Sequence, residues 1–411
     1  MSLLDRARRK SPLLIIFIAV FIDMLGYGMI VPLLPFLVPE QPNRGLIVGL
    51  LSSLYALMQL LVAPLLGAVS DRLGRRPILL ASLAISCLAY VLLGLASSLW
   101  MIIFAIMVAG AGGSSVPTAQ AYIADSTAPN ERARGLGLVG AAFGLGLILG
   151  PASGGLLSRY GLSVPAFVAA GLALANLIYG LLVLPESLPA ARRSHQPLRL
   201  GRLIGQLGQA LALPNLRPLL LTIFLLNMGF AGLQSNFPLY SSERFGWDPV
   251  QNGIFFAFVG VCAVFTQGFL LGKLQPRLGE PLLVLGGLGL MAVGLGAVAI
   301  VSQAWALYPL VGLMALGSGL AIPALTSLVS RRAGELHQGA VLGGMQSLLS
   351  LTLILGPALA GLLYERMGLG APYLSGGMLA GAALLVAAFT LWPSLRNQGA
   401  GEIAQATLTK Q

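Results

Sequence analysis

A carboxylate stands inside a long apolar stretch near the N-terminus. The run from Leu13 to Leu34 reads LLIIFIAVFIDMLGYGMIVPLL and contains Asp23 near its middle. At the centre of a bilayer such a group costs about 2.5–3.5 kcal/mol on insertion scales, so acidic residues there are rare and commonly functional. Desolvation without a countercharge favours the protonated form of a carboxyl group. The position predicts a group that takes a proton from one side of a membrane and releases it to the other.

The remaining acidic residues make Asp23 stand out. The chain has 13 aspartates and glutamates, and the others fall in tails, in loops or at predicted helix ends. The sequence predicts no lysine or arginine at the depth of Asp23. When ionised, the carboxylate can also attract a cationic substrate. The alternative is a structural carboxyl group that neighbouring polar side chains hydrogen-bond, which would stabilise helix packing.

A second candidate is the charged segment GAVSDRLGRRPILL, which begins at Gly67. Gly67 and Gly74 permit tight turns and close approach of the backbone. Asp71 can pair with Arg75, with Arg76 or with a neighbouring helix end. The pattern predicts a charged latch that breaks and re-forms during a conformational cycle. The alternative is a basic loop that only sets membrane topology.

A third pattern is rich in glycine and reads GLVGAAFGLGLILGPASGG. Glycines on one helix face let a neighbouring helix approach closely, and a proline inside the helix introduces a kink. Such packing is common in membranes, but the full pattern is much rarer. Its residues are Gly137, Gly146, Gly150, Pro151, Gly154 and Gly155.

The composition defines the kind of protein that holds these groups. Hydrophobic residues make up 57% of the 411 positions, charged residues only 9%, and the mean hydropathy is +0.88. A soluble domain carries about 25% charged residues, so this is a polytopic membrane protein. The net charge of +11 lies in short loops between apolar runs and does not indicate nucleic acid. The spans offer no nucleophile–base pair, no metal-ligand spacing and no cofactor motif, so we expect neither an enzyme nor a bound cofactor.

Long apolar runs predict an all-α fold with twelve transmembrane helices. They lack the alternation of a membrane barrel. The predicted spans are 12–38, 45–69, 77–97, 100–124, 133–158, 163–184, 216–241, 250–273, 281–301, 304–330, 337–363 and 371–393.

Basic residues predict the orientation. Of the 24 lysines and arginines, all but four fall on the side that carries both termini, if twelve spans are threaded in order. The exceptions are Arg44, Arg159, Arg244 and Arg366. This asymmetry predicts that both termini are cytoplasmic, as in a multi-pass protein of the inner membrane.

An internal repeat predicts two pseudo-symmetric six-helix bundles, 1–184 and 216–411, joined by a cytoplasmic linker over 185–215. The run LILGPASGGLLSRYG recurs as LILGPALAGLLYERMG, with Pro151 and Pro357 in register. GAVSDRLGRRP has a weaker echo in GKLQPRLGEP. In transporters built from such repeats, the substrate site lies between the halves. Within the linker, LRLGRLIGQLGQALAL could form an amphipathic surface helix or a plain polar connection.

These motifs resemble those of the major facilitator superfamily. G-x-x-x-D-R-x-G-R-R is similar to the superfamily's loop signature, and the glycine pattern of the fifth span is similar to its antiporter signature. The segments FIDMLGYGMIVPLLPFL and AYIADSTAPNERARGLG look like parts of tetracycline-resistance and bacterial multidrug exporters. The resemblance covers about residues 12–393 and implies the twelve-helix major facilitator fold and a drug:proton antiporter.

The resemblance also assigns roles to single residues. It implies proton coupling for Asp23 and a place near the substrate cavity for Gln59. Asp125, at the end of the fourth span, is implied to be structural or part of the latch. The residues that match the gating loop are Asp71, Arg72, Gly74, Arg75 and Arg76.

Four positions depart from the family pattern. The family's arginine in the fourth span is replaced by Ile106. The acidic residues that some relatives carry in spans seven and ten correspond to Gln234 and Gly319, and the histidine of tetracycline exporters falls at about Ala263. These departures argue against transferring tetracycline specificity and the usual proton relay to this chain.

Other polar residues in the spans are candidates for a substrate cavity. Tyr27 lies one turn from Asp23 and should share its helix face. Asn227, in the seventh span, is the approximate repeat equivalent of Asp23. Each could instead bond a neighbouring helix. The further candidates are Gln120, Gln234, Asn236 and Gln346.

Taken together, these features predict a monomeric, proton-coupled secondary transporter. It would export amphipathic drugs or similar small molecules from the cell by alternating access. A lipid flippase or a sugar or metabolite carrier of the same fold is the alternative. An intramembrane enzyme or receptor has much weaker support.

Overall fold

The computed structural model describes residues 12–113, 115–127, 131–193 and 208–408. These residues are helical almost throughout, and none of them belongs to a strand. The all-α class is therefore confirmed. The region 194–207 lies outside the described residues, and with it most of the predicted amphipathic helix.

Glycines with left-handed backbone divide two long helical stretches. Gly279 (φ 73°) interrupts Leu271–Ile300, and Gly334 (φ 66°) interrupts Leu307–Met367. Divided at these points, the described part of the chain contains twelve long helices, besides short helical segments such as 208–212. In the first half, α1 combines Pro12–Ile30, the 3-10 turn Val31–Leu33 and Leu34–Leu37; α2 is Arg44–Leu73, α3 is Arg75–Gly94, α4 combines Leu99–Gly112 and Ser115–Ser126, α5 is Arg132–Leu157 and α6 is Val164–Val183. In the second half, α7 is Arg217–Phe245, α8 begins with Pro249–Phe265 and the π-turn Thr266–Leu270 and ends at 278, α9 is 280–300, α10 is 307–333, α11 is 335–367 and α12 is Ala371–Leu408.

All twelve helices lie in stretches that are long and apolar enough to cross a bilayer. There are eleven such stretches among the described residues, and one of them, Pro249–Ile300, comprises both α8 and α9. In lipid every backbone N–H and C=O must be satisfied within the helix, which is why apolar runs of this length fold as helices. The predicted spans agree with these helices to within a few residues at most ends.

Packing contacts divide the chain into two compact units. Unit 1 contains residues 1–200 and Ser235–Gly260. Within it α1 packs against α5 and α6, while α3 packs against α4 and α6. Its buried core includes Ile16, Tyr122 and Ile123 in one cluster and Met29 and Tyr90 in another.

Unit 2 contains residues 201–234 and 261–411, and α9 is its central helix. α9 packs against α10 and α12. Its fully buried side chains recur every three or four residues, so one face of the helix supplies the core. These side chains are Val284, Leu288, Met291, Leu295 and Val298.

One local expectation, concerning the segment that starts at Gly67, is wrong. The segment that starts at Gly67 is not an extended loop, because α2 remains helical through Leu73 and only Gly74 (φ 112°, ψ 162°) leaves the helix. Gly67 therefore lies inside a helix and not at a turn. The fourth span is described as Leu99–Gly112 and Ser115–Ser126, and one apolar stretch, Leu99–Ser126, covers both parts, as the predicted span 100–124 does.

Candidate functional site

Asp23 lies in α1 and is almost completely buried, with 4% of its surface exposed. The neighbours Met24 and Ile16, on the same helix, are buried apolar residues. The apolar run therefore carries its carboxyl group into the interior of unit 1 and not onto the outer surface of the bundle.

Three tyrosines from three helices surround this position. The ring of Tyr27 lies 5.3 Å from the ring of Tyr55, centroid to centroid, with the planes 36° apart. Tyr90 packs against Gly26, where a β-carbon would be 3.1 Å from its ring. On α1, Asp23 lies three residues before Gly26 and one turn before Tyr27, so it belongs to the same region as these rings. We call Asp23, Tyr27, Tyr55 and Tyr90 the acid–tyrosine cluster.

The sequence identified Asp23 and Tyr27 but missed the other two tyrosines. Tyr55 and Tyr90 belong to α2 and α3, and nothing in an apolar span shows which residue of another span it will meet. Tyr90 is buried, while Tyr27 and Tyr55 are only half-buried. Phenol groups exchange hydrogen bonds with a carboxyl group, and aromatic faces attract cations. The cluster thus combines a carboxyl group, which can carry a proton, with ring faces of the kind that contact organic cations.

Gln59 lies one turn beyond Tyr55 on α2. Its Nε2 donates a hydrogen bond to the carbonyl oxygen of Gly113, at 2.8 Å. Gly113 follows the last residue of Leu99–Gly112, so the bond satisfies a carbonyl group at the end of that helix. Gln59 thus links α2 to α4, next to the acid–tyrosine cluster.

The other predicted cavity residues belong to both units and differ in their contacts. Asn227 donates to the carbonyl of Ile223 in its own helix, at 2.8 Å. Asn236 is fully buried, donates to the Gly45 carbonyl at 3.0 Å and accepts from the Ser235 hydroxyl at 2.6 Å. Its amide therefore joins α7 to α2 within unit 1. The exposed candidates are Gln120, Gln234 and Gln346.

Two departures from the family pattern have a structural counterpart. Ile106 is 6% exposed and belongs to the same buried cluster as Tyr90, so an apolar side chain fills the place of the family's arginine. At Gly319 a β-carbon would lie 2.7 Å from Cγ2 of Thr266, in the π-turn of α8. A side chain of any size would collide there, so this position has no room for the acidic residue of some relatives.

The ionic network predicted to act as a latch centres on Arg75, the first residue of α3. Its guanidinium pairs with Asp71 at 2.6 Å and with Asp125 at 2.9 Å, and it donates to the Ser70 hydroxyl at 2.6 Å. The pairing of Asp71 with Arg75 agrees with the sequence expectation. Asp125 ends α4, so one side chain ties together α2, α3 and α4. Arg72 is half-buried beside this network.

Glu186 is part of the same region, and the sequence did not single it out. Its carboxylate accepts hydrogen bonds from the backbone N–H groups of Arg75 at 2.8 Å and of Arg76 at 3.3 Å. The guanidinium of Arg76 donates to the Leu181 carbonyl at 2.7 Å. The only available signal was an acidic residue directly after the sixth span, and no spacing rule connects it to α3.

A related ion pair occurs at the corresponding place in unit 2. Gly279, like Gly74, has left-handed backbone with ψ near 160°, and a charged residue begins the next helix. Here that residue is Glu280, which accepts from the Ser327 hydroxyl at 2.6 Å and lies 3.5 Å from the Arg331 guanidinium. In unit 1 the cation, Arg75, begins the helix and pairs with an anion of the next helix. In unit 2 the anion, Glu280, begins the helix and pairs with a cation of the next helix.

Glycines of α5 bring two other helices into backbone contact. Facing α1, a β-carbon at Gly150 would lie 2.6 Å from Cα of Gly28. Facing α8, a β-carbon at Gly155 would lie 2.7 Å from the carbonyl oxygen of Pro249. Gly146 and Gly154 also face α1, while Gly137 has no atom within 4 Å of such a carbon. The helix is continuous through Pro151.

These features define a class of protein, an α-helical membrane transporter with twelve spans, glycine-packed helices and a buried carboxyl group. The family model of the Major Facilitator Superfamily matches residues 16–343 and 268–407. The chain belongs to this family, as its motifs indicate.

Similar proteins include bacterial resistance proteins. The class C tetracycline resistance protein of Escherichia coli is 34% identical over 360 residues, covering 87% of this chain and 90% of that protein. Multidrug resistance protein 2 of Bacillus subtilis (strain 168) is 29% identical over 402 residues, covering 95% and 98%. The solved structure of the human organic anion transporter MFSD10 (TETRAN) shares the fold, with a TM-score of 0.69, 24% identity and coverage of 94% and 100%.

Proposed function

We propose that this protein is a proton-coupled exporter of amphipathic drugs or similar small molecules. The observation that carries the proposal is the buried carboxyl group of Asp23, with its three tyrosines, in a member of a transporter family. Relatives named for tetracycline and multidrug resistance support drugs as the substrate class. The lack of a cationic side chain at Ile106 separates this chain from the family pattern, so we do not narrow the substrate to tetracycline.

In this proposal the proton and the drug compete for the acid–tyrosine cluster. Ionised Asp23 attracts the positive end of an amphipathic substrate, and the half-buried faces of Tyr27 and Tyr55 contact its apolar part. Protonation of Asp23 cancels this attraction and releases the substrate. Coupling follows because each state of the carboxyl group favours one ligand over the other.

Alternating access would come from rocking of the two six-helix halves, 1–184 and 216–411, about the linker 185–215. The Arg75 network acts as the latch that opens and closes with this motion. The protein moves its substrate without covalent chemistry, so no enzyme activity and no cofactor are required. We further propose that it works as a monomer.

We place the protein in the inner membrane, with both termini on the cytoplasmic side. The support is the asymmetric distribution of basic residues, which bacterial membrane proteins use to set orientation. Drug would therefore leave the cytoplasm as protons enter.

The proposal is tested by reconstituting the protein in lipid vesicles that contain a pH-sensitive dye. An organic cation such as ethidium is supplied as the probe, and its movement is followed together with internal pH. We expect movement of the probe to drive a proton flux in the opposite direction, and Asp23→Asn to abolish uphill transport. Uphill transport without proton movement, or uphill transport that survives Asp23→Asn, would contradict the proposal.

A matched control makes the same chemical change outside the membrane spans. Asp248→Asn keeps an oxygen that can accept the N–H of Gln251, now 2.8 Å from the carboxylate, so transport should be unchanged. Fluorescent phospholipid in the same vesicles tests the alternative of a lipid flippase. A labelled sugar tests the carrier alternative.

A further inference from the structure

The segment that follows α6 is attached to the start of α3 by one carboxylate. Oε1 of Glu186 accepts from the backbone N–H groups of Arg75 at 2.8 Å and Leu188 at 3.0 Å, and Oε2 accepts from Arg76 at 3.3 Å. The first N–H groups of a helix have no partner within the helix, and they carry the positive end of its dipole. Glu186 supplies a negative partner from 111 positions later in the chain.

This carboxylate occupies the space next to Gly74. A β-carbon at Gly74 would lie 2.7 Å from Cδ of Glu186 and closer still to Oε2. Gly74 also has a φ of 112°, which residues with a β-carbon rarely adopt. The backbone conformation favours glycine at this position, and a side chain here would also displace the carboxylate of Glu186 from its hydrogen bonds.

Further contacts hold the same segment. The Tyr122 hydroxyl, on α4, donates to the carbonyl of Pro185 at 2.9 Å. The guanidinium of Arg76 donates to the carbonyl of Leu181, at the end of α6. Residues just before Glu186 are thus bound to α3 and α4, which are also the helices that Arg75 and Asp125 connect.

We propose that Glu186 is a positioning residue of the gating loop. Its carboxylate fixes the backbone of Arg75 and Arg76, so that the Arg75 guanidinium reaches both Asp71 and Asp125. Through it, the beginning of the central linker moves together with the latch. The consequence for transport rests on the proposed function; the structural link between Glu186 and Gly74 does not.

The chain contains a matched control for this link. Gly279 also has left-handed backbone, and a β-carbon there would meet only Cδ of Pro281, at 3.7 Å. Alanine at Gly279 should therefore lower stability only through its strained backbone conformation. Alanine at Gly74 brings the same kind of penalty and a collision with Glu186.

The test is a double-mutant cycle in the full-length protein. The quantity measured for each variant is the apparent melting temperature in detergent. Gly74→Ala and Glu186→Ala should each lower it, and the double variant should lower it by less than the sum. Glu186→Ala combined with Gly279→Ala should be additive. Additive shifts in both pairs would overturn the proposal. If Gly74→Ala cannot be purified, recovery of folded protein in the double variant supports the link; without such recovery, the labelling rates described next decide it.

A second measurement does not depend on Gly74. Ser187→Cys is introduced after replacing Cys87 and Cys262 by serine, and its reaction with a maleimide is timed. Glu186→Ala should raise the rate by about 2- to 30-fold, the population change expected from loss of a helix-capping interaction. Glu186→Gln keeps one acceptor oxygen, so its labelling rate should lie between the rate with native Glu186 and the rate with Glu186→Ala. An unchanged rate in both variants would show that Glu186 does not hold the segment.

The transport assay completes the test. We expect Glu186→Ala to slow maximal transport of the vesicle-assay cation while its apparent affinity changes little, because Glu186 lies outside the acid–tyrosine cluster. Replacement of the exposed Glu131 by alanine should change neither quantity. If the wild-type protein moved no drug, the proposed function would fail, while the melting cycle and the labelling rates would still decide the role of Glu186.

Discussion

The glycines of α5 provide a sharp test of the packing described above. Gly146, Gly150 and Gly154 are spaced four residues apart and lie on one face of the helix, against α1. Their β-carbons would lie 2.6 to 2.8 Å from carbon atoms of that helix, where ordinary contacts are 3.4–4 Å. Alanine at any of these positions must push the two helices apart by about 1 Å in a close-packed interior.

The same helix contains three glycines that serve as controls. Gly137, Gly140 and Gly144 have no atom within 4 Å of an added β-carbon. Overpacking of a filled interface costs about 1–3 kcal/mol. Alanine at an open helical position instead gains up to about 1 kcal/mol of helix propensity. We therefore expect the two sets of alanine variants to change stability in opposite directions.

The measurement is the apparent melting temperature of six single alanine variants, purified in one detergent. The variants at Gly146, Gly150 and Gly154 should melt below the wild type, and the other three at or above it. The reasoning would be refuted if Gly137→Ala destabilised the protein as much as Gly150→Ala. Equal and small effects at all six positions would also refute it, because they would mean that α1 and α5 are not in backbone contact.

Two further predictions concern buried polar groups and use the same measurement. Asn236→Ala should destabilise the protein by about 1–3 kcal/mol because it leaves buried partners unsatisfied. Asn227→Ala loses only a hydrogen bond within its own helix and should destabilise it less. Equal losses of stability would contradict the assigned contacts. Glu280→Ala should lower stability more than Arg331→Ala, because Glu280 is buried and also accepts from the Ser327 hydroxyl. The Arg331 side chain is 75% exposed, and a surface ion pair contributes about 0–1 kcal/mol. The opposite order would show that the ion pair, and not the hydroxyl bond, dominates.

The helices were predictable from the sequence because lipid leaves a chain few alternatives. Apolar runs of the required length must satisfy their backbone internally, so their number follows from hydropathy alone. Their ends do not. α2 continues through the charged residues to Leu73, because its end is set by the left-handed backbone of Gly74 and not by the polarity of the segment.

The candidate site was predictable only where one residue contrasts with its own surroundings. Asp23 is conspicuous because it is acidic within an apolar span. Tyr55 and Tyr90 are ordinary residues of such spans, and their importance arises from contacts between helices that are far apart in sequence. Glu186 is similar, since its partners are backbone N–H groups that any sequence would offer.

The reversed order of charge in the two ion pairs has a consequence for how the chain assembles. A duplicated sequence offers every helix two similar partners while the protein is inserted and folds. If α3 met α10, Arg75 would face Arg331, and if α9 met α4, Glu280 would face Asp125. Like charges repel in both of these wrong combinations, whereas the native pairs attract, so the inversion discriminates against exchange of helices between the two copies.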